Sequence, residues 1–243
     1  MDPTSRSASP SQPRGSRPKS TAPMSATAQR RRQRSDEILR ATRSLFDAAG
    51  VRDAQIEDIA RAVGINRAII YRHFTGKEEL FALTLVSYLD EIQSRMRAAD
   101  DETQTPPERL RLICGAFLDY GEQYPAFVDC ALTLLRTPGT ELMNDVAEGA
   151  MFRLGRAISG ALRALVDVLD AGSKSGDFQV DDAQLLANVL YTQALGGLQL
   201  ARLRLVVSES SPGLPEVQSV SFDVVREYLL QAAIAMATGV PKS

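Results

Sequence analysis

The stretch GINRAIIYRHF, residues 64–74, carries side chains whose chemistry suits a polyanion. It holds the only histidine of the chain, His73, together with Arg67 and Tyr71. Guanidinium, imidazole and phenol groups donate hydrogen bonds to phosphate oxygens and to base edges. The stretch is therefore either a surface helix that contacts nucleic acid or a buried helix that happens to carry charges.

No other set of residues has the types and spacing that catalysis needs. A Ser-His-Asp set is excluded because the one histidine lies in residues 64–74. Gly196 and Gly197 lie inside a helical pattern and do not form a phosphate-binding loop. We therefore predict no catalytic residues, no cofactor and no enzymatic activity.

Cys114 and Cys130 lie in the apolar stretches LICGAF and FVDCAL. Two cysteines and one histidine are too few ligands for a Cys/His metal site, so we predict no metal. We interpret both cysteines as reduced thiols in the core of a cytoplasmic protein, with a redox-sensing pair as the alternative.

The net charge of −2 hides an uneven distribution along the chain. Residues 1–29 carry +3, residues 30–77 carry +5 and residues 78–243 carry −10. The excess of positive charge over residues 1–77, against the negative charge of the remainder, predicts a polyanionic partner for the N-terminal part. No apolar run approaches the ~18 residues that span a bilayer, and no apolar signal segment follows the first basic residues, so no membrane association is expected.

Residues 1–29 are rich in serine, proline and arginine and predict a disordered basic tail. Nothing before Met24 indicates structure, so translation could begin at either Met1 or Met24. The basic cluster that follows is either a solvated surface or an arm that contacts nucleic acid. Its arginines include Arg30, Arg31 and Arg32.

Apolar residues recur at helical spacing from Ser35 onwards. A first helix should end at Gly50 and a second should cover residues 56–63, and Asn66 should cap a third. Three short helices with this turn fit a helix-turn-helix, here over residues 55–74.

The third helix should have two different faces. Ile70 and Phe74, four residues apart, should pack on the first two helices. Ala68 and Arg72 point the other way, and Tyr71 on the flank can reach outwards. Arg67 stands at the helix N-terminus, where recognition helices contact base edges.

The remaining residues continue to show helical periodicity and predict an all-α protein. A long helix begins at Lys77 and another at Pro106, and a break at Tyr124-Pro125 separates the latter from a shorter helix over residues 125–136. Three further helices are expected, with loops between them. They should cover residues 141–172, 181–207 and 219–238.

The residues around the helix-turn-helix resemble the TetR family of transcriptional regulators. The resemblance covers residues 33–93, and a looser likeness continues over 124–127 and 176–198. It implies a three-helix DNA-binding domain over 33–93 and a helical-bundle ligand-binding and dimerisation domain over 94–240. The matching residues are Gly50, Ile56, Asp58, Ile59, Ala60, Gly64, Ile65, Asn66, Ile70, Tyr71, His73, Phe74, Lys77, Glu78 and Leu80.

The resemblance implies roles for individual residues at a DNA duplex. Arg67, Ala68 and Tyr71 would face the major groove, where Arg67 could donate to guanine. His73 and Lys77 would bind phosphate. The full DNA-contacting set is Arg30, Arg31, Arg32, Gln55, Asn66, Arg67, Ala68, Ile69, Tyr71, His73 and Lys77.

Three positions depart from the family pattern. Ala54-Gln55 stands where the family has Thr-Ser or Thr-Thr, and Asp53 is the alternative cap. Glu57 would repel phosphate, so it either reads a cytosine amino group or points away. Ile69 either packs on DNA or belongs to the core.

The resemblance also implies a ligand cavity enclosed by helices four to eight and a homodimer through the last two helices, with intrachain packing as the alternative for these helices. An apolar effector, such as an acyl chain or an aromatic molecule, suits the apolar candidates. Each candidate lining residue could instead be an ordinary core residue. The candidates are Phe117, Tyr120, Phe127, Cys130, Leu134, Phe152 and Tyr191.

We therefore predict a repressor that binds a palindromic operator as a homodimer and is released by a small apolar effector. An activator of the same type is one alternative. A helical adaptor that does not act through DNA is another, since singly Tyr71 could be a core residue and His73 a plain surface histidine.

Overall fold

The computed structural model describes residues 25–51, 55–138, 140, 144 and 146–239. The expected disorder of residues 1–24, the choice of start codon and the Asp53 cap all concern positions outside this part. The described residues form nine helices and one β-hairpin. The elements are α1 (Ala26–Ala49), α2 (Ile56–Val63), α3 (Arg67–His73), α4 (Lys77–Ala99), α5 (Pro106–Gln123), α6 (Pro125–Arg136), α7 (Glu148–Ser175), α8 (Ala183–Leu203), β1 (Leu205–Ser211), β2 (Leu214–Ser219) and α9 (Phe222–Thr238).

Helix α1 begins well before the predicted start at Ser35. The Ser25 hydroxyl accepts a hydrogen bond from the amide of Ala28 at 3.3 Å and caps the helix. Residues 26–34 are alanine, threonine, glutamine and arginine, and all of them are exposed. Because no face of this segment is buried, it needs no apolar stripe, and its alanine, glutamine and arginine residues favour helix. The prediction of disorder up to residue 29 was therefore wrong for residues 26–29, and the basic cluster lies on a helix.

The helix-turn-helix is confirmed over α2 and α3. Gly64 ends α2 in the left-handed conformation with φ 70°, a region that favours glycine. Asn66 caps α3 as expected. Ile59 and Ile70 are buried, and so is Phe46 of α1, so all three helices share one core.

Helix α4 is the central helix of the fold and packs on α1, α5, α6 and α7. The break at Tyr124-Pro125 is confirmed, since α5 ends at Gln123 and α6 begins at Pro125. Helix α7 starts at Glu148 rather than at residue 141, because Ala147 is extended with ψ 141° and serves as its N-cap.

The hairpin β1–β2 corrects the all-α prediction locally, because the helix predicted over 181–207 ends at Leu203 and a strand begins at Leu205. Arg204 ends α8 in the left-handed conformation with φ 55°. Val206 and Val207 follow, and β-branched residues favour strands. Pro212 and Gly213, with φ 81° at the glycine, close the hairpin.

One hydrophobic cluster extends from α1 through α4 to α9. Helices α1–α3 and the helical bundle therefore share a continuous core. Within the described ranges, no helix combines the length and the apolar character needed to cross a bilayer.

Candidate nucleic-acid interface and effector cavity

Helix α3 presents the face that the sequence predicted. The Asn66 side chain accepts a hydrogen bond from the Ala68 amide at 2.9 Å and fixes the first turn. Ile70 and Phe74 are buried, whereas Ala68 is exposed and the Tyr71 side chain is 52% exposed. One side of α3 is thus packed into the core, and the opposite side is accessible to a partner.

Arg67 is not free at this face. Its guanidinium donates to the Glu57 carboxylate of α2 at 2.8 Å, and both side chains are more than half exposed. The hydrogen bond from Arg67 lowers the pKa of Glu57. Glu57 therefore holds Arg67 in a set position and offers it an acidic partner, a role that the sequence analysis missed.

Ile69 and Gln55 flank the exposed face. Ile69 is half-buried, so its side chain is shared between the core and the surface. Gln55 is the exposed N-cap of α2, and its side chain makes no cap hydrogen bond. The Gln55 amide is thus available at the edge of the α2–α3 surface.

His73, at the end of α3, contacts α1. Its Nδ1 lies 2.9 Å from the Ser35 hydroxyl, and which atom donates depends on the ring tautomer. Burial lowers the pKa of His73, and the positive charges of Arg31, Arg72 and Arg34 lower it further. The ring is consequently neutral near pH 7 and surrounded by cations.

Lys77 and the arginines of α1 complete the basic surface. The Lys77 ammonium lies 5.0 Å from the centre of the Phe81 ring, at the first turn of α4. Arg30, Arg31 and Arg32 are exposed on α1. Helix α1 therefore places these cations on a rigid element.

A polar cluster joins α1 to α4 and α5. Arg43 of α1 donates to Glu91 of α4 and to the Tyr120 hydroxyl at 3.2 Å, and it stacks over the Tyr88 ring at 4.3 Å. Although burial alone would raise the pKa of Glu91, hydrogen bonds from Arg43 and Arg95 hold it below its ordinary value. None of the contacts of this cluster is among the predicted ones.

A signal for the cluster was present in the sequence. Arg43 follows Leu39 by four residues and precedes Phe46 by three, so a cation stands in the apolar stripe of α1. A charged residue at such a position requires a buried or half-buried partner.

An apolar cavity of about 30 Å³ lies between α4, α5, α7, α8 and α9. This is far below the ~300–1,000 Å³ of a typical ligand pocket, so a ligand of ordinary size requires the surrounding helices to move. Burial raises the pKa of Cys114 and of Tyr191 to about 12, which keeps both groups uncharged. The lining residues are Met96, Cys114, Phe117, Leu118, Ala161, Leu162, Leu165, Leu190, Tyr191, Gln193, Ala194, Leu229 and Ala233.

Two of the candidate lining residues, Phe117 and Tyr191, border this cavity. Tyr120, Phe127 and Cys130 are buried in the core away from its wall, and Leu134 is half-buried against that core. Helix α9 lines the cavity in place of α6.

The prediction that Phe152 lines the cavity was wrong, because its side chain is 71% exposed. It lies on α7 two residues from both Ala150 and Leu154, which are buried. At helical spacing it must face away from them.

Comparison with known proteins places this arrangement among transcriptional regulators. The family model of bacterial regulatory proteins of the tetR family matches residues 38–83. The HTH-type transcriptional repressor KstR2 of Mycobacterium tuberculosis is 30% identical over 152 residues, which are 61% of this chain and 70% of that protein. The HTH-type transcriptional activator FasR of Mycolicibacterium smegmatis is 32% identical over 92 residues, 38% of this chain and 42% of that protein.

The fold is also found in solved structures. The transcriptional regulator FadR of Bacillus subtilis, in complex with stearoyl-CoA, superposes with a TM-score of 0.60 at 16% identity, over 83% of this chain and 98% of FadR. The family model, the extent of the match to KstR2 and the shared fold agree with the resemblance in the sequence. The chain belongs to the TetR family of DNA-binding transcriptional regulators, which are not enzymes.

Proposed function

We propose that this protein is a ligand-responsive repressor that binds a palindromic operator as a homodimer and is released by a small apolar effector. The observation that carries the proposal is the α3 face, on which Ala68 and Tyr71 are exposed above buried Ile70 and Phe74. An anchored helix with open polar side chains is suited to the major groove. Acting on DNA, the protein would work in the cytoplasm.

At the duplex, Arg67 and Tyr71 read bases, while Asn66, His73 and Lys77 contact phosphates. Phosphate contacts position the protein and base contacts specify the sequence. Arg30, Arg31, Arg32 and Gln55 add contacts around this centre, and Ile69 packs against a sugar or a thymine methyl group. We divide the chain into a DNA-binding domain over 33–93 and a ligand-binding and dimerisation domain over 94–240.

Dimerisation through α8 and α9 is supported by apolar side chains that have no cover in one chain. Leu185, Val189 and Leu200 are exposed along one stripe of α8. Val224 and Tyr228 are exposed four residues apart on α9, and Tyr228 is 71% exposed. Exposed apolar side chains on two helices that contact each other favour burial against a second copy, which would also bring two α3 helices to the two half-sites of a palindrome.

An apolar effector is supported by the cavity lining, in which Gln193 is the one polar side chain besides Cys114 and Tyr191. FadR holds stearoyl-CoA, a ligand with a long apolar chain. The cavity volume is only about 30 Å³. An effector as large as an acyl chain would therefore push the surrounding helices apart. The ligand can thereby favour one arrangement of the dimer over another.

A chain of ring contacts connects the cavity with α1. Phe117 lines the cavity and lies 5.7 Å from Phe127, centre to centre. Phe127 lies 6.2 Å from Tyr88, whose ring carries the Arg43 guanidinium at 4.3 Å. A shift of the cavity wall would reach α1 and change the spacing of the two α3 helices.

The test is selection of duplexes from random sequence by the purified protein, followed by mobility shift at two salt concentrations. We expect an enriched palindrome and binding that weakens with salt. No enrichment would contradict the proposal. The double variant Tyr71→Ala, Lys77→Ala should lose binding, whereas an adaptor acting through protein contacts would keep its partner.

Activation is the second candidate, because FasR is an activator. Transcription from a promoter carrying the selected palindrome, with and without the protein, separates the two. Repression should lower the transcript, and adding stearoyl-CoA as a probe of the effector should restore it.

A further inference from the structure

A polar groove of about 690 Å³ lies between α1, α4 and α7. None of the residues that line the apolar cavity lines this groove. Side chains of opposite charge line its walls. We call it the arginine groove and define it by Arg32, Asp36, Asp90, Gln93, Arg153 and Arg156.

The three arginines of the groove lack acidic partners. Among the described residues, no carboxylate lies within 4.0 Å of Arg32, Arg153 or Arg156, although Asp36 and Asp90 line the same groove. All three side chains are exposed. Three guanidinium groups against two carboxylates leave the groove with a net positive charge, which a bound anion would neutralise.

The face of α7 that lines the groove carries two small residues beside its arginines. Arg153 and Arg156 are followed at helical spacing by Ala157 and Gly160. A Cβ atom at Gly160 would lie 2.9 Å from the Gln93 amide nitrogen, so the helices nearly touch there. Helices α4 and α7 are therefore in close contact at Gly160, and Arg156 and Arg153 lie about one and two turns before that contact on α7.

The DNA backbone does not suit the whole groove. Gln93 follows Lys77 by sixteen residues on α4, which is about 24 Å along the helix axis. A duplex that contacts Lys77 would be too far away to fill that end.

We propose that the arginine groove binds a small molecule carrying a phosphate or pyrophosphate group. Its oxygens accept hydrogen bonds from Arg153 and Arg156 of α7 and from Arg32 of α1, since guanidinium groups bind phosphate bidentately. Because α1 belongs to the DNA-binding side and α7 to the helical bundle, the bound molecule bridges the two. Arg32 is shared with the proposed DNA contacts, whereas Arg153 and Arg156 belong to the groove alone, and none of these three arginines lines the apolar cavity.

Isothermal titration calorimetry of the full chain with sodium pyrophosphate at low ionic strength tests the proposal. We expect one site per chain and weakening by about tenfold or more in the double variant Arg153→Ala, Arg156→Ala. Arg32→Ala should weaken binding as well, which shows that both helices contribute. Asp90→Asn should strengthen it, because a repelling charge is removed.

Arg163→Ala is the matched control, since Arg163 is exposed on the same helix outside the groove and lies 4.0 Å from Asp167. It should leave the pyrophosphate affinity unchanged, and thermal unfolding should show that all variants fold. Absence of binding at millimolar pyrophosphate, or equal weakening by Arg163→Ala, would overturn the proposal.

A last arm separates a free phosphate compound from the DNA backbone. Without pyrophosphate, the double variant should bind the selected duplex as the wild-type protein does. A loss of duplex binding of about tenfold would assign the groove to DNA and overturn the proposal. The calorimetry needs no duplex, so this site and the proposed repressor function can fail separately.

Discussion

The outer face of α3 and the wall of the apolar cavity are assembled in opposite ways. The α3 face comes from the consecutive residues Arg67–His73, anchored by one buried isoleucine, Ile70. The cavity wall comes from five helices and extends from Met96 to Ala233. Side chains on the α3 face are exposed and carry little packing, whereas those at the cavity belong to the core. Binding and stability should therefore be separable on α3 and coupled around the cavity.

The largest expected effect lies in the core next to the cavity wall, because Phe127 packs against the lining residue Phe117. Phe127 is buried among Tyr88, Phe117 and Tyr120. Phe127→Ala should lower the free energy of unfolding by about 3–5 kcal/mol, because it removes packing and leaves a void. Urea denaturation followed by circular dichroism measures this.

Phe152→Ala is the control, since that ring is 71% exposed on α7. It should change the free energy of unfolding by less than about 0.5 kcal/mol. Equal losses in the two variants would show that exposure does not distinguish the two phenylalanines.

The surface side is tested by Arg67→Ala. It should weaken binding to the selected duplex by roughly 5- to 100-fold through loss of a base contact. The unfolding midpoint should not change, because the Arg67 side chain is 64% exposed. Arg136→Ala, an exposed change at the end of α6, should leave duplex binding intact in the same mobility-shift assay.

A smaller effect is expected where the two regions meet. Tyr120→Phe removes the hydroxyl that accepts from Arg43 and donates to Glu91, each at 3.2 Å. The free energy of unfolding should fall by about 1 kcal/mol, the usual net value of such a bond. If the α1–α5 contact also transmits the effector signal, stearoyl-CoA should release the duplex less completely from this variant.

Glu57→Gln should strengthen duplex binding, by roughly two- to fivefold, because it removes a negative charge near phosphate and frees Arg67. The gain should be larger for mixed-sequence DNA than for the selected duplex, since Glu57 also positions Arg67 at 2.8 Å. Competition assays with both duplexes measure the ratio. A loss of binding to both would show that Glu57 itself contacts a base.

The smallest expected effect is the titration of His73. Burial, aided by Arg31, Arg72 and Arg34, places its pKa below the ordinary 6.5. Because the folded protein disfavours the protonated ring, stability is full above pH 6.5 and declines as the pH falls through the lowered pKa. NMR of the single histidine ring gives this pKa directly.

Adding the selected duplex should raise the pKa of His73 if the ring lies beside a phosphate. An unchanged pKa would remove His73 from the contact set.

Features that depend on residues close together in the sequence could be predicted from it, and other features could not. The faces of α3 were predictable because Ile70 and Phe74 lie within one turn of the residues they anchor. The hairpin β1–β2 was not, because Val206 and Val207 continue the apolar period of α8 in the sequence, although Arg204 ends the helix before them. The extension of α1 was missed because an entirely solvated helix shows no apolar period.

The sequence by itself determined the helix-turn-helix, its anchoring residues, its cap at Asn66 and the basic character of its surface. Only the tertiary structure decided the pairing of Arg67 with Glu57, the cluster around Arg43, and which aromatic rings border the cavity. The physical reason is range. Helical periodicity is set by neighbours three or four residues apart, whereas a cavity or an ion pair between helices depends on how distant segments pack.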